Sequence, residues 1–369
     1  MFDEKVKVGI IGCGNISQAY FKGALKLEVL DVIACADLNM EAAKAKAEEY
    51  HCEAQTVEEI LANSEVQLII NLTIPAVHAE VSLAALNAGK HVHCEKPLSV
   101  ELEDAKEVLD LAQEKGLLVG CAPDTFMGAG NQTCRKLIDD GWLGEVIGGT
   151  AFMMSRGPEN WHPNPAFFYQ LGGGPMFDLG PYYITALVNL LGPVKGLFAS
   201  TSKAFEERVV TGKVNFGKRL AVEVPTHYTS SLEFHSGANI NLCISFDVLA
   251  HSHKPIELYG TEGSLQVPDP NTFGGPVYLW KASNKEWVEQ SLSHPYVENS
   301  RSIGAADMAY AILSEGKHKH RANGLLAYHA LEVMHAFEKS SKLGEYVQID
   351  SLPEQPDALP LGLLEGRLI

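Results

Sequence analysis

The opening segment Val6-Lys7-Val8-Gly9-Ile10-Ile11-Gly12-Cys13-Gly14-Asn15-Ile16-Ser17 restricts the choice of fold more than any other feature of the chain. A short apolar run stopped by glycines and followed at once by a helix-compatible stretch is a buried strand turning tightly into a helix. The unit then repeats. Strands are expected over 5–11, 30–36, 66–72, 91–94 and 117–121, and helices over 15–27, 40–50, 77–88 and 100–115. Continuous apolar strands separated by helices of about 10–15 residues imply an α/β layer with a parallel, doubly wound sheet covered on both faces.

After Pro123 the texture changes. One helix (130–141) precedes longer, alternating strands at 145–154, 228–234, 239–246, 256–259 and 277–280, and two helices (302–315 and 324–342) close the pattern. A strand-rich stretch with helices at its start and end predicts an α+β domain with a large, mostly antiparallel open sheet. With 369 residues the chain exceeds one ordinary core. The expected division is 1–123 for a dinucleotide-binding domain and 124–369 for substrate binding and oligomerisation. The tail from Ser351 reads as an extended arm.

Composition excludes several partners. A formal net charge of -17 argues against nucleic acid and anionic membrane surfaces. No apolar stretch reaches membrane-spanning length, and the first strand starts too near Met1 for a signal peptide, so a cytoplasmic protein is expected. Seven cysteines, an odd number without a Cys-x-x-Cys pair, read as reduced thiols. The His251-Ser252-His253 and His318-Lys319-His320 clusters lack a carboxylate at ligand spacing, and no metal is expected.

Gly12-x-Gly14-x-x-Ser17 is a variant dinucleotide fingerprint, with serine at the third position, where a small residue suffices for close helix–strand packing. Its context strengthens it: a strand precedes it, a helix follows, and Asp37 ends the next strand roughly 20–25 residues on. This is the Rossmann pattern. The turn and first helical amides (Gly12, Gly14, Asn15, Ile16) face a pyrophosphate, and Asp37 accepts from ribose hydroxyls. Asp37 would repel a 2′-phosphate, and Leu38-Asn39 bring no base, so NAD is favoured over NADP. Thr73 and His78, in Asn71-Leu72-Thr73-Ile74-Pro75-x-x-His78, follow another strand and should line the same crevice. A surface position remains open for His78.

Further on stands His93-Cys94-Glu95-Lys96-Pro97. The glycine-rich turn, Thr73-x-Pro75-x-x-His78 and Glu95-Lys96-Pro97, in this order and spacing, resemble the Gfo/Idh/MocA family of NAD(P)-dependent oxidoreductases of sugars, inositols and related polyols. The resemblance continues through Gly172-Gly173-Gly174-Pro175-x-x-Asp178-x-x-x-Tyr182 and Tyr259-Gly260-Thr261-Glu262-Gly263-Ser264-Leu265, and covers nearly the whole chain. It implies that Lys96 and Asp178 sit at the reacting carbon and that Glu95 belongs to the cofactor site. The chemistry agrees with that implication. Alcohol oxidation needs a base for the hydroxyl proton, and a lysine near an oxidised nicotinamide and away from water would have a lowered pKa. Asp178 could orient a second hydroxyl, or serve as a helix N-cap.

Many members of the family carry histidine four residues after the aspartate; here that position is Tyr182. Either Lys96 depresses the phenol's pKa and Tyr182 exchanges the proton, or Tyr182 only hydrogen-bonds substrate. Pro181 would bend a helix running through it, so Asp178 and Tyr182 need not share a face. Arg156, Trp161 and His162, in a loop after the first long strand, are the substrate-side candidates: a flat ring and two donors. Asp124 lies at the expected hinge. The expected activity is NAD-dependent hydride transfer at a secondary carbon of a sugar, glycoside or polyol. The alternatives are glycoside cleavage through transient oxidation by tightly bound NAD, and a non-catalytic NAD-sensing regulator. The exposed face of the second sheet predicts a homodimer or homotetramer.

Overall fold

The computed structural model describes residues 4–369. The first layer is built from β1 (Val6–Ile11), α1 (Ser17–Ala24), β2 (Leu30–Ala36), α2 (Met40–Tyr50), β3 (Glu53–Gln55), α3 (Val57–Ala62), β4 (Leu68–Asn71), α4 (His78–Asn87), β5 (His91–Cys94), α5 (Leu102–Lys115) and β6 (Val119–Cys121). Its six strands are all parallel, in the order β3-β2-β1-β4-β5-β6. The order reverses between β1 and β4, which opens a crevice beyond their carboxyl ends. Continuous burial along β1, β4 and β5 follows from cover on both faces: Val8, Ile10, Ile69, Ile70 and Val92 have no solvent exposure.

The second layer contains α6 (Ala129–Asp139), β7 (Val146–Met154), α7 (Gly174–Leu191), β8 (Val194–Ser202), β9 (Glu207–Val209), β10 (Arg219–Ala221), β11 (His227–Phe234), β12 (Asn239–Ser245), β13 (Ile256–Gly260), β14 (Gly263–Val267), β15 (Val277–Lys281), β16 (Trp287–Gln290), α8 (Ile303–Leu313), α9 (Gly324–Leu343) and β17 (Val347–Gln348). Nine strands form one sheet in the order β16-β15-β14-β13-β7-β12-β11-β8-β17, with only the β7–β12 pair parallel. The expected mostly antiparallel open sheet is therefore present. One face, carrying Leu197, Tyr228, Leu232 and Ile240, is buried. The other presents a register row, Phe198–Ser231–Asn241–Thr150–Glu257–Gln266, none of it buried. It is largely polar.

The two layers are knitted together. Cys121 N–H donates to the Ala322 carbonyl at 3.0 Å, and Gly120 bridges to Asn323, so the turn before α9 extends the edge of the first sheet. The tail beyond Ser351 has no strand or helix, yet it is anchored: Leu359 and Leu368 are buried, and Tyr296 Oη donates to the Arg367 carbonyl at 2.6 Å.

One expectation about α7 is overturned. The helix runs unbroken through Pro181, beginning after Gly173 with Pro175 in its first turn. A proline at the first turn costs no hydrogen bond, and the buried run 182–191 holds the rest in place. Asp178 and Tyr182, four residues apart, therefore do share a face. Asp178 is inside the helix and not its N-cap, which is Gly173.

Candidate active site

At the nucleotide turn Gly12 has φ 104°, and a Cβ there would lie 2.6 Å from the Leu72 carbonyl carbon and oxygen. Only glycine lets β1 and the end of β4 approach this closely. A Cβ on Gly14 would meet nothing within 4 Å, so that side of the turn is open. Ser17 is fully buried and its hydroxyl donates to the Gly14 carbonyl at 2.7 Å, which closes the first turn of α1. Asp37 is held by two main-chain amides: Cys13 N–H reaches Oδ2 and Asn39 N–H reaches Oδ1, each at 2.7 Å. Each carboxylate oxygen keeps acceptor capacity for a ribose hydroxyl. An open glycine face at a helix N-terminus and an oriented acid at the next strand end fit a dinucleotide.

Thr73 and Glu95 both take part in hydrogen bonds that join the strand ends. Asn71 Oδ1 accepts from Thr73 Oγ1 at 2.6 Å, and Asn71 O accepts from Glu95 N–H at 2.8 Å, tying the β4 and β5 ends together. The buried Glu95 accepts from Tyr20 Oη at 2.8 Å and from the Lys96 main-chain N–H at 2.7 Å. It is a strut between α1 and the Lys96 turn. His78 is buried, not at the surface, and both ring nitrogens face carbonyls: Nδ1 to Pro97 O at 2.6 Å and Nε2 to Thr73 O at 3.0 Å. Two carbonyls call for two N–H donors, hence an imidazolium. Burial works against that charge, but the adjacent Cys94 sulfur, as thiolate, and the two carbonyls outweigh it and raise His78 to about 9.

Lys96 is delivered just beyond β5 to the second layer. Its Nζ lies 3.0 Å from Asp178 Oδ1 and 2.5 Å from the Asp178 main-chain oxygen. That carbonyl belongs to the turn that Pro181 leaves one bond short, having no N–H for Phe177 O. Nζ also sits 5.4 Å from the centre of the Tyr182 ring. The expected lowering of the lysine's pKa is not found. Burial does push it down, but Asp178, Tyr182 and Glu95 together outweigh burial and raise it well above the ordinary lysine range. For Tyr182, by contrast, burial decides the outcome and holds the phenol above its usual range although Lys96 pulls it down.

Two residues of this cluster carry no motif that would have found them. Arg301 Nη2 donates to Tyr182 Oη at 3.3 Å, and Tyr20 supports Glu95 from 75 residues away. Asp124 is buried and accepts from Gly304 N–H at 3.1 Å; burial lifts it to about 6. Arg156, Trp161 and His162 lie in a separate loop after β7. Trp161 is 66% exposed and packs edge-on to His162 at 5.3 Å, and the loop is anchored by buried Glu159, which accepts from Arg208 Nε at 2.8 Å. Among the described residues no hydrogen bond or ion pair joins these three to Lys96, but the loop returns at Gly172, where a Cβ would lie 3.0 Å from Val100, four residues past Lys96. No group of three or more His, Cys, Asp or Glu side chains among the described residues could hold a metal ion. No helix among them is long and apolar enough to cross a membrane. All seven cysteines are free thiols.

Comparison with known proteins accords with this geometry. Residues 6–122 match the model described as the oxidoreductase family with an NAD-binding Rossmann fold, and residues 131–266 match the Gfo/Idh/MocA C-terminal domain. The chain belongs to the Gfo/Idh/MocA family. A dTDP-3,4-didehydro-2,6-dideoxy-alpha-D-glucose 3-reductase of Actinomadura kijaniata is 32% identical over 329 residues, covering 83% of this chain and 97% of that protein. A 1,5-anhydro-D-fructose reductase of Ensifer adhaerens is 28% identical over 261 residues, covering 70% and 74%. The chain spans only 52% and 37% of the length of two further relatives. Among solved structures, a levoglucosan dehydrogenase in complex with NADH and levoglucosan aligns with a TM-score of 0.79 at 20% identity, covering 94% of this chain and all of that one (100%). That likeness bears on the Gfo/Idh/MocA fold.

Proposed function

We propose that this family member is an NAD-dependent dehydrogenase that exchanges a hydride with a secondary alcohol or ketone carbon of a sugar, glycoside or polyol. The observation that carries the reading is the Lys96 ammonium, fixed between Asp178 Oδ1 at 3.0 Å and the Tyr182 ring at the mouth of the crevice. The sugar-directed names of the Actinomadura and Ensifer relatives and of the levoglucosan dehydrogenase support the substrate class.

When bound, the cofactor supplies hydride exchange at its nicotinamide. The Gly14, Asn15 and Ile16 amides would hold its pyrophosphate and Asp37 its ribose. NAD is favoured over NADP because Asp37 repels a 2′-phosphate and neither Leu38 nor Asn39 compensates. For ketone reduction, Lys96 Nζ gives a proton to the carbonyl oxygen; for oxidation, the same nitrogen takes the hydroxyl proton. Asp178 holds Lys96 and orients the substrate, and Tyr182 hydrogen-bonds the substrate oxygen as a neutral phenol. Trp161 offers a sugar ring its exposed face, with Arg156 and His162 as donors beside it. In this reading residues 1–123 carry the cofactor and 124–369 the substrate. The outer face of the nine-stranded sheet makes the homodimer or tetramer contact, which light scattering on the purified protein checks.

The test is a screen of NAD reduction and NADH oxidation against monosaccharides, inositols, sugar acids and glycosides, repeated with Lys96→Met. The variant should lose turnover by roughly 10²–10⁴-fold while still binding NADH, the range expected for a removed proton donor. Full turnover in Lys96→Met would remove the lysine from the mechanism.

A further inference from the structure

The Tyr182 phenol has a second cation beside it, brought from the segment that leads into α8. Arg301 Nη2 donates to Tyr182 Oη at 3.3 Å, across 119 residues of sequence. The guanidinium is braced on its other sides, Nη1 to Asn299 Oδ1 at 3.2 Å and Nη2 to Asn271 Oδ1 at 3.3 Å.

The main chain beneath Arg301 is locked to the nucleotide-binding layer. A Cβ on Gly23 would overlap the Arg301 carbonyl, so α1 rests directly on this backbone with no side chain between them. The next residue, buried Ser302, holds φ at 82°, a left-handed conformation that a serine keeps only when its surroundings impose it. Its hydroxyl donates to the Tyr20 carbonyl at 2.9 Å, on the same helix as Gly23. Tyr20 in turn supports Glu95, whose carboxylate fixes the Lys96 main chain. One helix, α1, therefore sets the position of both cations that flank Tyr182.

We infer that Arg301 is a positioning residue that fixes the Tyr182 hydroxyl as a hydrogen-bond donor to the substrate oxygen. A phenol has one proton to give and accepts with its oxygen lone pairs. With Arg301 on the accepting side, the O–H is left to point elsewhere, and a charged donor polarises it into a stronger one. Lys96, 5.4 Å from the ring centre, stands over the ring and not at the oxygen, so it does not compete for that role. The assignment rests on the dehydrogenase reading of Lys96 and Asp178 for its catalytic meaning, but the Arg301–Tyr182 link can be tested without turnover.

Two measurements decide it. The first is a double-mutant cycle of Arg301→Gln and Tyr182→Phe, with Arg301→Lys as the conservative control, read on the best substrate from the sugar and polyol panel. Arg301→Gln should lower kcat by roughly 10–150-fold, the worth of one charged hydrogen bond, with NADH affinity within about twofold of the parent. Arg301→Lys should recover part of the loss, and the double variant should be no slower than Tyr182→Phe alone. The second places fluorotyrosine at 182 and follows its titration by fluorine NMR. The fluorophenol should titrate at higher pH in Arg301→Gln than in the parent, and near the parent value in Arg301→Lys. Additive losses in the cycle, or a titration unmoved by Arg301→Gln, would overturn the inference. A parent protein that turns over no member of the panel would instead defeat the dehydrogenase reading, leaving the fluorotyrosine titration to decide the Arg301 assignment.

Discussion

A lysine that folding holds protonated should make the two directions of the reaction respond differently to pH. Reduction consumes the ammonium form, and oxidation needs the free amine. Because Asp178, Tyr182 and Glu95 outweigh burial and raise Lys96 above its ordinary range, the ammonium persists through neutral and mildly alkaline pH. kcat/KM for ketone reduction should then be flat across that range. For alcohol oxidation at saturating NAD, it should climb about tenfold per pH unit, since the free-amine fraction does so at any pH below the pKa. Asp178→Asn removes the largest raising influence, a carboxylate 3.0 Å from Nζ with side-chain exposures of 16% and 27%. At an effective dielectric near 20 such a pair is worth about 5–6 kcal/mol, and solvent reaching both groups reduces this to about 1–4 kcal/mol. The oxidation limb should therefore move toward neutral pH by about one to three pH units, while its height falls because in the proposed mechanism Asp178 also orients substrate. Steady-state NADH absorbance in both directions provides the assay, with parent and variant compared at equal cofactor saturation. An oxidation profile that is flat in the parent, or a limb that stays in place in Asp178→Asn, would refute Lys96 as the proton acceptor.

Two further expectations follow from buried geometry. Gly12→Ala combines a φ of 104° with a Cβ only 2.6 Å from the Leu72 carbonyl, so it should cost at least about 1–3 kcal/mol of stability and abolish tight NADH binding, read by denaturant midpoint and fluorescence titration; parent-like binding would show that the turn is not the cofactor cradle. His93 and His329 are fully buried, and burial lowers them to about 3 and about 4. The unfolded chain takes up protons below about pH 6.5 while these two stay neutral, so stability is intact above that pH and falls below it, by about 2–3 kcal/mol for each at roughly pH 4.5. Among the described residues neither His93 ring nitrogen has a hydrogen-bond partner, so His93→Leu should flatten the acid limb of a thermal-melt series, and an unchanged limb would contradict the assignment.

The fold was legible where local chemistry and long-range packing agree. The strands at 30–36 and 91–94 and the helix at 40–50 are apolar runs or capped periods whose bounds need no tertiary information. The half-exposed edge strand β3 has no apolar run to mark it, although Thr56 and Glu59 beside it form a capping box that starts α3. α7 was hidden for the opposite reason. It is apolar nearly all round, so it has no amphipathic period, and Gly173, Gly174 and Pro181 imitate chain breakers in a helix that tertiary packing keeps straight enough to continue.

The same contrast holds at the site. Glu95, Lys96 and Asp178 were recognisable as residue types in motifs, but the charge state of Lys96 depends on which partner arrives across 82 residues. Desolvation alone lowers a lysine's pKa, and that is the sign a motif in isolation suggests. Asp178 at 3.0 Å, Tyr182 and Glu95 together contribute more than burial removes. The sign is thus set by a distance, and the distance is set by α7 passing Lys96 at Asp178, one turn ahead of Pro181. Arg301 lies further from view still: nothing in Asn299-Ser300-Arg301-Ser302 announces a contact with Tyr182, and it exists because Gly23 lets α1 sit against that backbone.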